Sequence, residues 1–575
     1  MSFPPIQKKL INKQIDRVNL TLASIIFFEL AIKLFLIFRH KISWDEFHFL
    51  SQVFSYQRGE ISRPYQNFHV HLLGWVPWVS SNEITQIVAA RCALFMLFLG
   101  SGALLYLIAR QFINRSGALF AVFCWLSLSN VIQHGSSLRY DSFCSFLFLL
   151  ACFALLKKGQ TRLWPAIAGI SMGLSLLISL KAAIHIVSLF ALIAALWATS
   201  SEKGVIFRKA VLFISSLALT FGLGFKLHQN MLPLPAVPTN QSLAHHASSK
   251  AIILSEFFPR WEYFAGTLRN NPIIWALLGV GIIYTILTLT KRQGKNGFLV
   301  LSFLVPLFSL PFYRNAFPYY YVFVIAPAVI FCGILPHYLM QDFRKTGSKA
   351  LLLLFALISL PIAAGAGIHI FKAFDRGNRS QAELLSQIHK MFPDPVPYID
   401  GCSAVASYPK AGLFMSTWVM EEYLAAGKPV FRRILQEKRP QFLLVNIPYL
   451  DFDFPRENPF FKTNYDLLEE DRKTLEENFV PYWGMILVPG KTLHFNRAGE
   501  QQIIEILIAG DYVLESNEQV FIDNAQKASG ETIILSNGLH KVQAMTNNQT
   551  IVLRWSKVNY APPTPSPTMS IFFGF

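Results

Sequence analysis

Residues 20–48 read LTLASIIFFELAIKLFLIFRHKISWDEFH, an apolar run followed closely by two adjacent carboxylates. The run is long enough to cross a bilayer as a helix. Asp45 and Glu46 then stand within a few residues of the membrane surface, where charge is costly unless it is solvated or used. This stretch therefore predicts a membrane-spanning helix with a functional site at its end.

The composition extends this pattern to the whole chain. Of 575 residues, 53% are hydrophobic and only 15% are charged, whereas soluble domains usually carry about 25% charged residues. The apolar residues form runs of roughly 17–25 residues, so we predict a polytopic α-helical membrane protein with about eleven spans. The predicted spans are 19–39, 86–109, 117–134, 140–156, 163–179, 182–199, 210–228, 272–290, 297–312, 318–337 and 350–370.

The net charge of +17 reflects membrane topology and not a nucleic-acid footprint, because Lys and Arg collect in alternate short loops between the spans. The positive-inside rule makes those loops cytoplasmic. The N-terminus is then inside and everything after Phe371 is outside. We expect a bacterial inner membrane, with the endoplasmic reticulum as the alternative.

Cysteine usage indicates neither a zinc site nor a disulfide framework. Five of the six Cys fall in apolar runs, only Cys402 falls in the soluble part, and the chain has no CxxC pair.

The domain prediction has four parts. Residues 1–370 are a transmembrane domain with long outer loops at 40–85 and 229–271, and residues 371–500 alternate helical and extended patterns, which indicates a small α/β domain. Residues 501–560 show short alternating strands with turn signals, typical of a small β-sandwich-like module. The Pro-rich tail, 561–575, is expected to be extended or disordered.

The carboxylates of Asp45 and Glu46 are the first candidates for chemistry. Neighbouring carboxylates can have pKa values driven apart, so that one stays ionised as a base while the other positions substrate or metal. The alternative interpretation is a solvated pair that caps a surface helix.

A second set of candidates lies at the outer ends of later spans. Arg139, Tyr140 and Asp141 begin the fourth span, and Lys181 stands between the fifth and sixth. The cations can face a phosphate and Asp141 can join Asp45 in a shared cavity. A structural ion pair and a Lys that snorkels to the headgroups are the alternatives.

The remaining candidates lie in the outer loops. Arg63, Arg260 and Arg314 are possible contacts to a lipid-linked anion or sugar, and His245 and His246 are possible metal ligands. Adjacent His residues do not easily bind one metal together, so an exposed pair is the alternative.

The chain has no Gly-rich phosphate cradle and no Walker-type motif. An enzyme that works on the outer face without nucleotide must draw on a preformed activated donor, and a lipid-phosphate sugar is the obvious one.

The order of these short motifs resembles the GT-C superfamily of membrane glycosyltransferases, and within it the protein O-mannosyltransferase and lipid A aminoarabinose transferase group. The likeness covers residues 20–370. Its features are Asp45-Glu46 after the first span, Asp141 at the fourth, Lys181 after the fifth, and the long loop after the seventh. Where members often show a Lys-Gly-Pro-like segment, this chain has Lys181-Ala182-Ala183.

The resemblance implies a donor sugar on undecaprenyl or dolichyl phosphate. Asp45 would act as the base on an acceptor hydroxyl of a lipid, glycan or protein, with inversion at the sugar. Glu46 and Asp141 would be active-site partners, and Lys181, helped by Arg139, would hold the leaving phosphate. Some members use a divalent metal, for which His245, His246 and Glu46 are the candidates here.

Three other functions compete with the transferase. A transporter or flippase usually shows repeats and midplane charges, whereas these spans are nearly free of charge. An oligosaccharide polymerase or ligase would share the lipid donor but depend more on an Arg-rich outer loop. A scaffold that presents the C-terminal module would tolerate loss of Asp45.

Overall fold

The computed structural model describes residues 4–159, 161–232, 257–289, 295–375, 377–463, 465–558, 560–563 and 565–572. The chain divides into two compact units. The first unit comprises Met1–His40, Gly59–Gly74 and Val88–Gly377, and the second comprises Lys41–Arg58, Trp75–Ile87 and Asn378–Phe575.

Long apolar helices dominate the first unit. Within the described residues, five helices are long and apolar enough to cross a membrane. They are Ile6–Arg39, Glu83–Ala109, Leu180–Thr199, Lys203–Met231 and Lys349–Phe374. Helices Trp261–Asn270 and Pro272–Thr288 meet at an angle of 96° and make a sixth if they count as one broken span.

The predicted membrane-helix fold is confirmed, but the count of eleven spans is not. Four predicted spans correspond to apolar helices of 17 residues or fewer, which are Arg115–Ser127, Tyr140–Leu156, Leu163–Ile178 and Asn296–Ser309. The predicted span 318–337 is divided among helices Tyr320–Ile325, Ala328–Gly333 and Ile334–Thr346, with Pro327 at the first break. Proline removes a backbone donor and interrupts the α-helix, which hydropathy alone does not register.

Glycine allows two of these helices to approach closely. A Cβ on Gly169 would lie 2.3 Å from the carbonyl oxygen of Phe213, and one on Gly173 would lie 2.7 Å from the side chain of Thr220. Both glycines belong to helix Leu163–Ile178, and both contacts are on helix Lys203–Met231. Small residues at a helix interface are a main route to tight packing in membranes.

The second unit contains two sheets. Their strands are β1 Tyr398–Ile399, β2 Phe442–Leu444, β3 Phe479–Trp483, β4 Ile486–Phe495, β5 Gln501–Ile506, β6 Gly510–Ser516, β7 Val520–Ile522, β8 Ala525–Lys527, β9 Thr532–Leu535, β10 Gly538–Ala544 and β11 Gln549–Trp555. The larger sheet has the order β1-β2-β4-β11-β6-β9, with β3 also paired to β4, and the smaller has the order β5-β10-β7-β8. Only β1 and β2 pair in parallel among these strands.

Strand β4 pairs with strands from both sides of the domain boundary that the sequence predicts at residue 500. Leu487 pairs with Leu443 of β2, while Leu493 pairs with Ile551 of β11. The larger sheet therefore crosses residue 500, where the sequence predicted a boundary. The division into separate α/β and β domains stays a prediction.

The second unit also contains nine helices among the described residues, and two of them come from residues 40–85. They are Trp44–Gln57, Val76–Trp78, Arg379–Met391, Thr417–Ala426, Phe431–Lys438, Pro448–Leu450, Pro459–Thr463, Glu469–Glu476 and Met569–Phe572. Part of the tail predicted to be extended or disordered is thus a short 3₁₀ helix, and its Phe572 is buried.

Alanine substitution tests the helix contact at Gly169. We expect Gly169→Ala to lower the free energy of unfolding by about 1–3 kcal/mol, because the added methyl group overlaps a backbone carbonyl that cannot move away freely. The measurement is thermal unfolding of the purified protein in detergent.

Gly222→Ala is the matched control, since its Cβ would meet nothing within 4 Å on the neighbouring helix. Alanine favours helix over glycine by roughly 1 kcal/mol, so this variant should be neutral or stabilised. Equal effects of the two substitutions would show that Gly169 is not a contact glycine.

Candidate functional site

Three charged side chains of the first unit meet at helix ends. Lys181 Nζ lies 2.5 Å from Asp141 Oδ1, and Arg139 Nε lies 3.4 Å from Asp141 Oδ2. The exposed fractions of the three side chains are 12%, 2% and 6% for Lys181, Asp141 and Arg139. We call Arg139, Asp141 and Lys181 the ion cluster, in which two cations share one carboxylate.

Local backbone structure places each member. Arg139 is extended, with φ −142° and ψ 152°, and immediately precedes helix Tyr140–Leu156. Asp141 lies in the first turn of that helix, where the helix dipole favours negative charge. Lys181 lies in the 3₁₀ turn Leu180–Ala182 that leads into helix Ala183–Thr199.

Aromatic rings lie beside both cations of the ion cluster. The Arg139 guanidinium lies 3.4 Å from the centroid of the Tyr319 ring, and Lys181 Nζ lies 5.8 Å from the same centroid and 5.3 Å from that of Phe323. A cation over an aromatic face gains electrostatic stabilisation, most strongly where water is excluded. The rings thus help to hold two cations close together in a partly dry site.

The same aromatic surface extends to Arg260. The Phe317 and Tyr319 rings stack with centroids 5.8 Å apart, and the Arg260 guanidinium lies 4.7 Å from the Phe317 centroid. Arg260 Nε also donates to the carbonyl oxygen of Arg314 at 3.3 Å. The rings of Phe317, Tyr319 and Phe323 form a row that we call the aromatic strip. Three residues predicted to contact phosphate or sugar therefore lie beside this strip: Arg139, Lys181 and Arg260.

A buried polar network fixes the loop that bears this strip. Asn130 Nδ2 donates to the carbonyl oxygen of Pro318 at 2.9 Å, and Thr267 Oγ1 donates to Asn130 Oδ1 at 2.7 Å. The sequence interpretation missed Tyr319 and its support by Asn130. The run Phe317-Pro318-Tyr319-Tyr320-Tyr321 at a span end, beside Arg314, was the available signal.

Tyr140, a further predicted substrate contact, links the cluster region to the predicted outer loop 40–85. Its hydroxyl donates to the carbonyl oxygen of Gln66, and its ring centroid lies 5.1 Å from that of His69. Arg63 is in the same loop, where its carbonyl oxygen accepts a hydrogen bond from Asn67 Nδ2 at 2.6 Å. The structure thus uses the hydroxyl of Tyr140 and the backbone of Arg63 to hold the loop.

Asp45 and Glu46 lie in the second unit, in the first turn of helix Trp44–Gln57, which we call the Asp45 helix. Glu46 is buried, and its Oε2 accepts a hydrogen bond from the backbone N–H of Ser43 at 2.9 Å. This bond is half of a capping box. The structure therefore gives Glu46 a capping role and leaves Asp45 half-buried beside it.

His48 lies one turn after Trp44, and its imidazole interacts electrostatically with the carboxylate of Asp45. Its ring stacks on Phe414 with centroids 4.1 Å apart. Burial lowers the pKa of His48 to about 4. The negative charge of Asp45 opposes this shift, and the positive charge of Lys410 adds to it. The imidazole is therefore neutral at pH 7, and Asp45 has a neutral ring as its neighbour in the helix.

The predicted metal ligands stay a prediction. His245 and His246 lie outside the described residues, and the carboxylate of Glu46 is engaged by Ser43. Over the ranges that the structure describes, no three His, Cys, Asp or Glu side chains are grouped as a metal site requires.

The sequence of residues 75–236, which include the whole ion cluster, matches the model of the dolichyl-phosphate-mannose-protein mannosyltransferase family. No curated protein matches the chain.

Three solved structures resemble this chain over 74–90% of its length. The apo oligosaccharyltransferase of Archaeoglobus fulgidus is 14% identical, with a TM-score of 0.53 over 80% of this chain and 72% of that one. AglB from Archaeoglobus fulgidus, in complex with an inhibitory peptide and a dolichol-phosphate, is 13% identical, with a TM-score of 0.52 over 90% and 76%. ArnT from Cupriavidus metallidurans, bound to undecaprenyl phosphate, is 13% identical, with a TM-score of 0.50 over 74% and 92%.

The chain therefore shares the fold of these structures, which is the fold of the GT-C membrane glycosyltransferases. The predicted resemblance to the protein O-mannosyltransferase and ArnT group is confirmed within that class. The comparisons thereby support a multi-pass membrane glycosyltransferase.

A double-mutant cycle tests whether the ion cluster is a coupled unit. We expect Lys181→Met and Asp141→Asn each to destabilise the protein strongly, by about 3–5 kcal/mol for a broken buried pair. Their combination should recover about 1–3 kcal/mol relative to the sum. Unfolding of the four proteins in detergent measures this coupling energy.

The exposed pair Lys345–Asp342, with Nζ 3.3 Å from Oδ1, provides the control cycle. Its side chains are 64% and 55% exposed, so its coupling should be below about 1 kcal/mol. If the buried cycle gave no larger coupling than the exposed one, the cluster would not be a unit.

Proposed function

We propose that the protein transfers a sugar from a polyprenyl-phosphate donor to an acceptor hydroxyl. The observation that carries the proposal is the ion cluster, in which two nearly buried cations meet at one carboxylate beside an aromatic ring, in a fold shared with lipid-dependent glycosyltransferases. Solved structures of that fold support the donor class, since ArnT is bound to undecaprenyl phosphate and AglB to a dolichol-phosphate.

In this proposal Lys181 and Arg139 hold the phosphate of the donor. A sugar–phosphate–lipid diester carries one negative charge, and the lipid phosphate that leaves carries up to two. Cations placed beside that phosphate gain interaction energy as the bond breaks, which lowers the barrier. Asp141 keeps the two buried cations paired and oriented before the donor arrives.

Asp45 is the proposed base. Its carboxylate accepts the proton of the acceptor hydroxyl, whose oxygen forms a bond to the anomeric carbon. The bond from that carbon to the phosphate oxygen breaks, and its electron pair stays on the phosphate. One such displacement inverts the configuration at the sugar. Glu46 supports this chemistry by capping the Asp45 helix.

Membrane orientation belongs to the same proposal. The cation-rich loops put the N-terminus in the cytoplasm and the second unit on the outer face, in a bacterial inner membrane. The acceptor is then a lipid, a glycan or a protein of the cell envelope. Transfer of a whole oligosaccharide is the second candidate, favoured by the likeness to oligosaccharyltransferases over 80% of the chain.

Donor turnover by purified protein tests the proposal, with polyprenyl-phosphate sugars extracted from the source membranes and an acceptor-containing extract. Wild type should release polyprenyl phosphate, and Asp45→Asn should be slower by about a hundredfold or more, as expected for a lost general base. The substitution removes the charge and keeps the shape. The mass of the glycosylated product separates single-sugar from oligosaccharide transfer.

Asp453→Asn is the control, because this exposed carboxylate in the same unit lies in a loop and should leave turnover unchanged. If Asp45→Asn were as active as wild type, Asp45 would not be the base. If wild type consumed no donor in the presence of acceptor extract, the transferase proposal would be wrong and transport or scaffolding would take its place.

A further inference from the structure

The Asp45 helix is held by the far end of the chain within the second unit. Three successive backbone carbonyl oxygens, of Ser570, Ile571 and Phe572, each accept a side-chain hydrogen bond. The donors are Lys41 Nζ at 2.8 Å, Gln381 Nε2 at 3.2 Å and Trp44 Nε1 at 3.1 Å. Phe572 itself is fully buried, with its ring centroid 6.2 Å from that of Phe47.

Gln381 connects this C-terminal segment to the residue just before the helix. Its Oε1 accepts from the backbone N–H of Ile42 at 2.9 Å, and its Nε2 donates to the Ile42 carbonyl oxygen at 3.0 Å. Gln381 is fully buried, where an unmade hydrogen bond is expensive. One amide group therefore fixes both backbone groups of Ile42 and one carbonyl of the C-terminal segment.

These contacts bracket Asp45 closely. Trp44, which is bound to Phe572, precedes Asp45, and Glu46, which caps the helix through Ser43, follows it. At the other end of the helix, Arg58 Nη1 donates to the carbonyl oxygen of Ser407 at 3.1 Å. The helix is thus secured at both ends, and the bonds at Ile42 and Trp44 hold the backbone of the turn that carries Asp45.

We infer that Gln381 and Ser570–Phe572 form a clasp that positions Asp45 for catalysis. Gln381, Trp44 and the C-terminal segment are positioning residues in this account, which rests on the proposed function. A general base must lie within hydrogen-bond reach of the acceptor hydroxyl, and a displacement of about 1 Å can cost a hundredfold in rate. The C-terminal segment is then a working part of the enzyme and not a passive tail.

The test measures local order and catalysis on the same variants. Gln381→Met keeps the length of the side chain and removes its three hydrogen bonds; Trp44→Phe keeps an aromatic ring and removes the N–H. Hydrogen exchange of residues 42–50, followed by mass spectrometry, reports the order of the helix N-terminus. The kcat and the KM for polyprenyl-phosphate sugar report catalysis.

Gln549→Met is the matched control. Gln549 is also buried and also binds a loop backbone, with Oε1 accepting from Met545 N–H at 2.7 Å and Nε2 donating to Gln519 O at 3.2 Å. Gln549 begins strand β11, and its partners lie at the end of strand β6 and in the turns at 517–519 and 545–546, which do not include the bonds that hold the Asp45 helix. The control therefore reproduces the loss of a buried amide without touching the clasp.

In Gln381→Met we expect exchange of residues 42–50 to be about tenfold faster or more, with exchange of the sheets unchanged. The kcat should fall about tenfold or more while the donor KM stays within about twofold, because Asp45 acts on the acceptor in the transition state and not on donor binding. Trp44→Phe should shift both quantities in the same direction by less. Gln549→Met should leave exchange of residues 42–50 and kcat as in wild type.

Three results would overturn the positioning role. They are faster exchange with unchanged kcat, unchanged exchange in both clasp variants, and an equal loss of kcat in Gln549→Met. Wild type that is inert toward the donor would contradict the proposed function and, with it, the positioning of a base. Faster exchange of residues 42–50 in that case would still identify the clasp as the structural element that orders this helix.

Discussion

The proposed function depends on how two buried cations are kept beside one carboxylate. Removing a charge from water costs several kcal/mol, and a pair recovers that cost only with good geometry and further hydrogen bonds. Asp141 meets Lys181 at 2.5 Å and Arg139 at 3.4 Å, and the Tyr319 ring stabilises the Arg139 guanidinium. Two cations held at fixed positions by a carboxylate and an aromatic ring are the arrangement on which the proposed binding of a lipid phosphate rests.

The surrounding structure holds the parts of this cluster in place. The Asn130 amide fixes the Pro318 carbonyl and so the ring of Tyr319, while the first turn of helix Tyr140–Leu156 carries Asp141. In the second unit, an analogous role falls to Gln381, which orders the backbone before the Asp45 helix. In both units a buried side-chain amide, bound to backbone, orders the segment that carries a proposed functional group. Such amides are costly to leave unsatisfied, and this makes them sensitive points for substitution.

Charge at the ends of apolar runs identified Asp141 and Lys181 from the sequence, because an ionisable group there is rarely without a function or partner. Their direct contact was not derivable from spacing, since forty residues separate them. Tyr319 was missed because an aromatic residue at a span end is common and has no distinctive pattern. Gln381 was missed because a single Gln in an amphipathic helix carries no signal of its tertiary partners. The count of eleven spans stays a prediction, because hydropathy does not reveal where Pro327 breaks a helix or how long each apolar helix is.

The most direct test of the central claim is the affinity of the ion cluster for a lipid phosphate. The measurement is the Kd of undecaprenyl phosphate for the detergent-solubilised wild type, Lys181→Met and Lys345→Met. Loss of one charge-assisted contact should weaken binding about tenfold or more in Lys181→Met, while the exposed Lys345 should be replaceable without effect. Equal affinity of wild type and Lys181→Met would contradict the account, because the phosphate would then be held elsewhere.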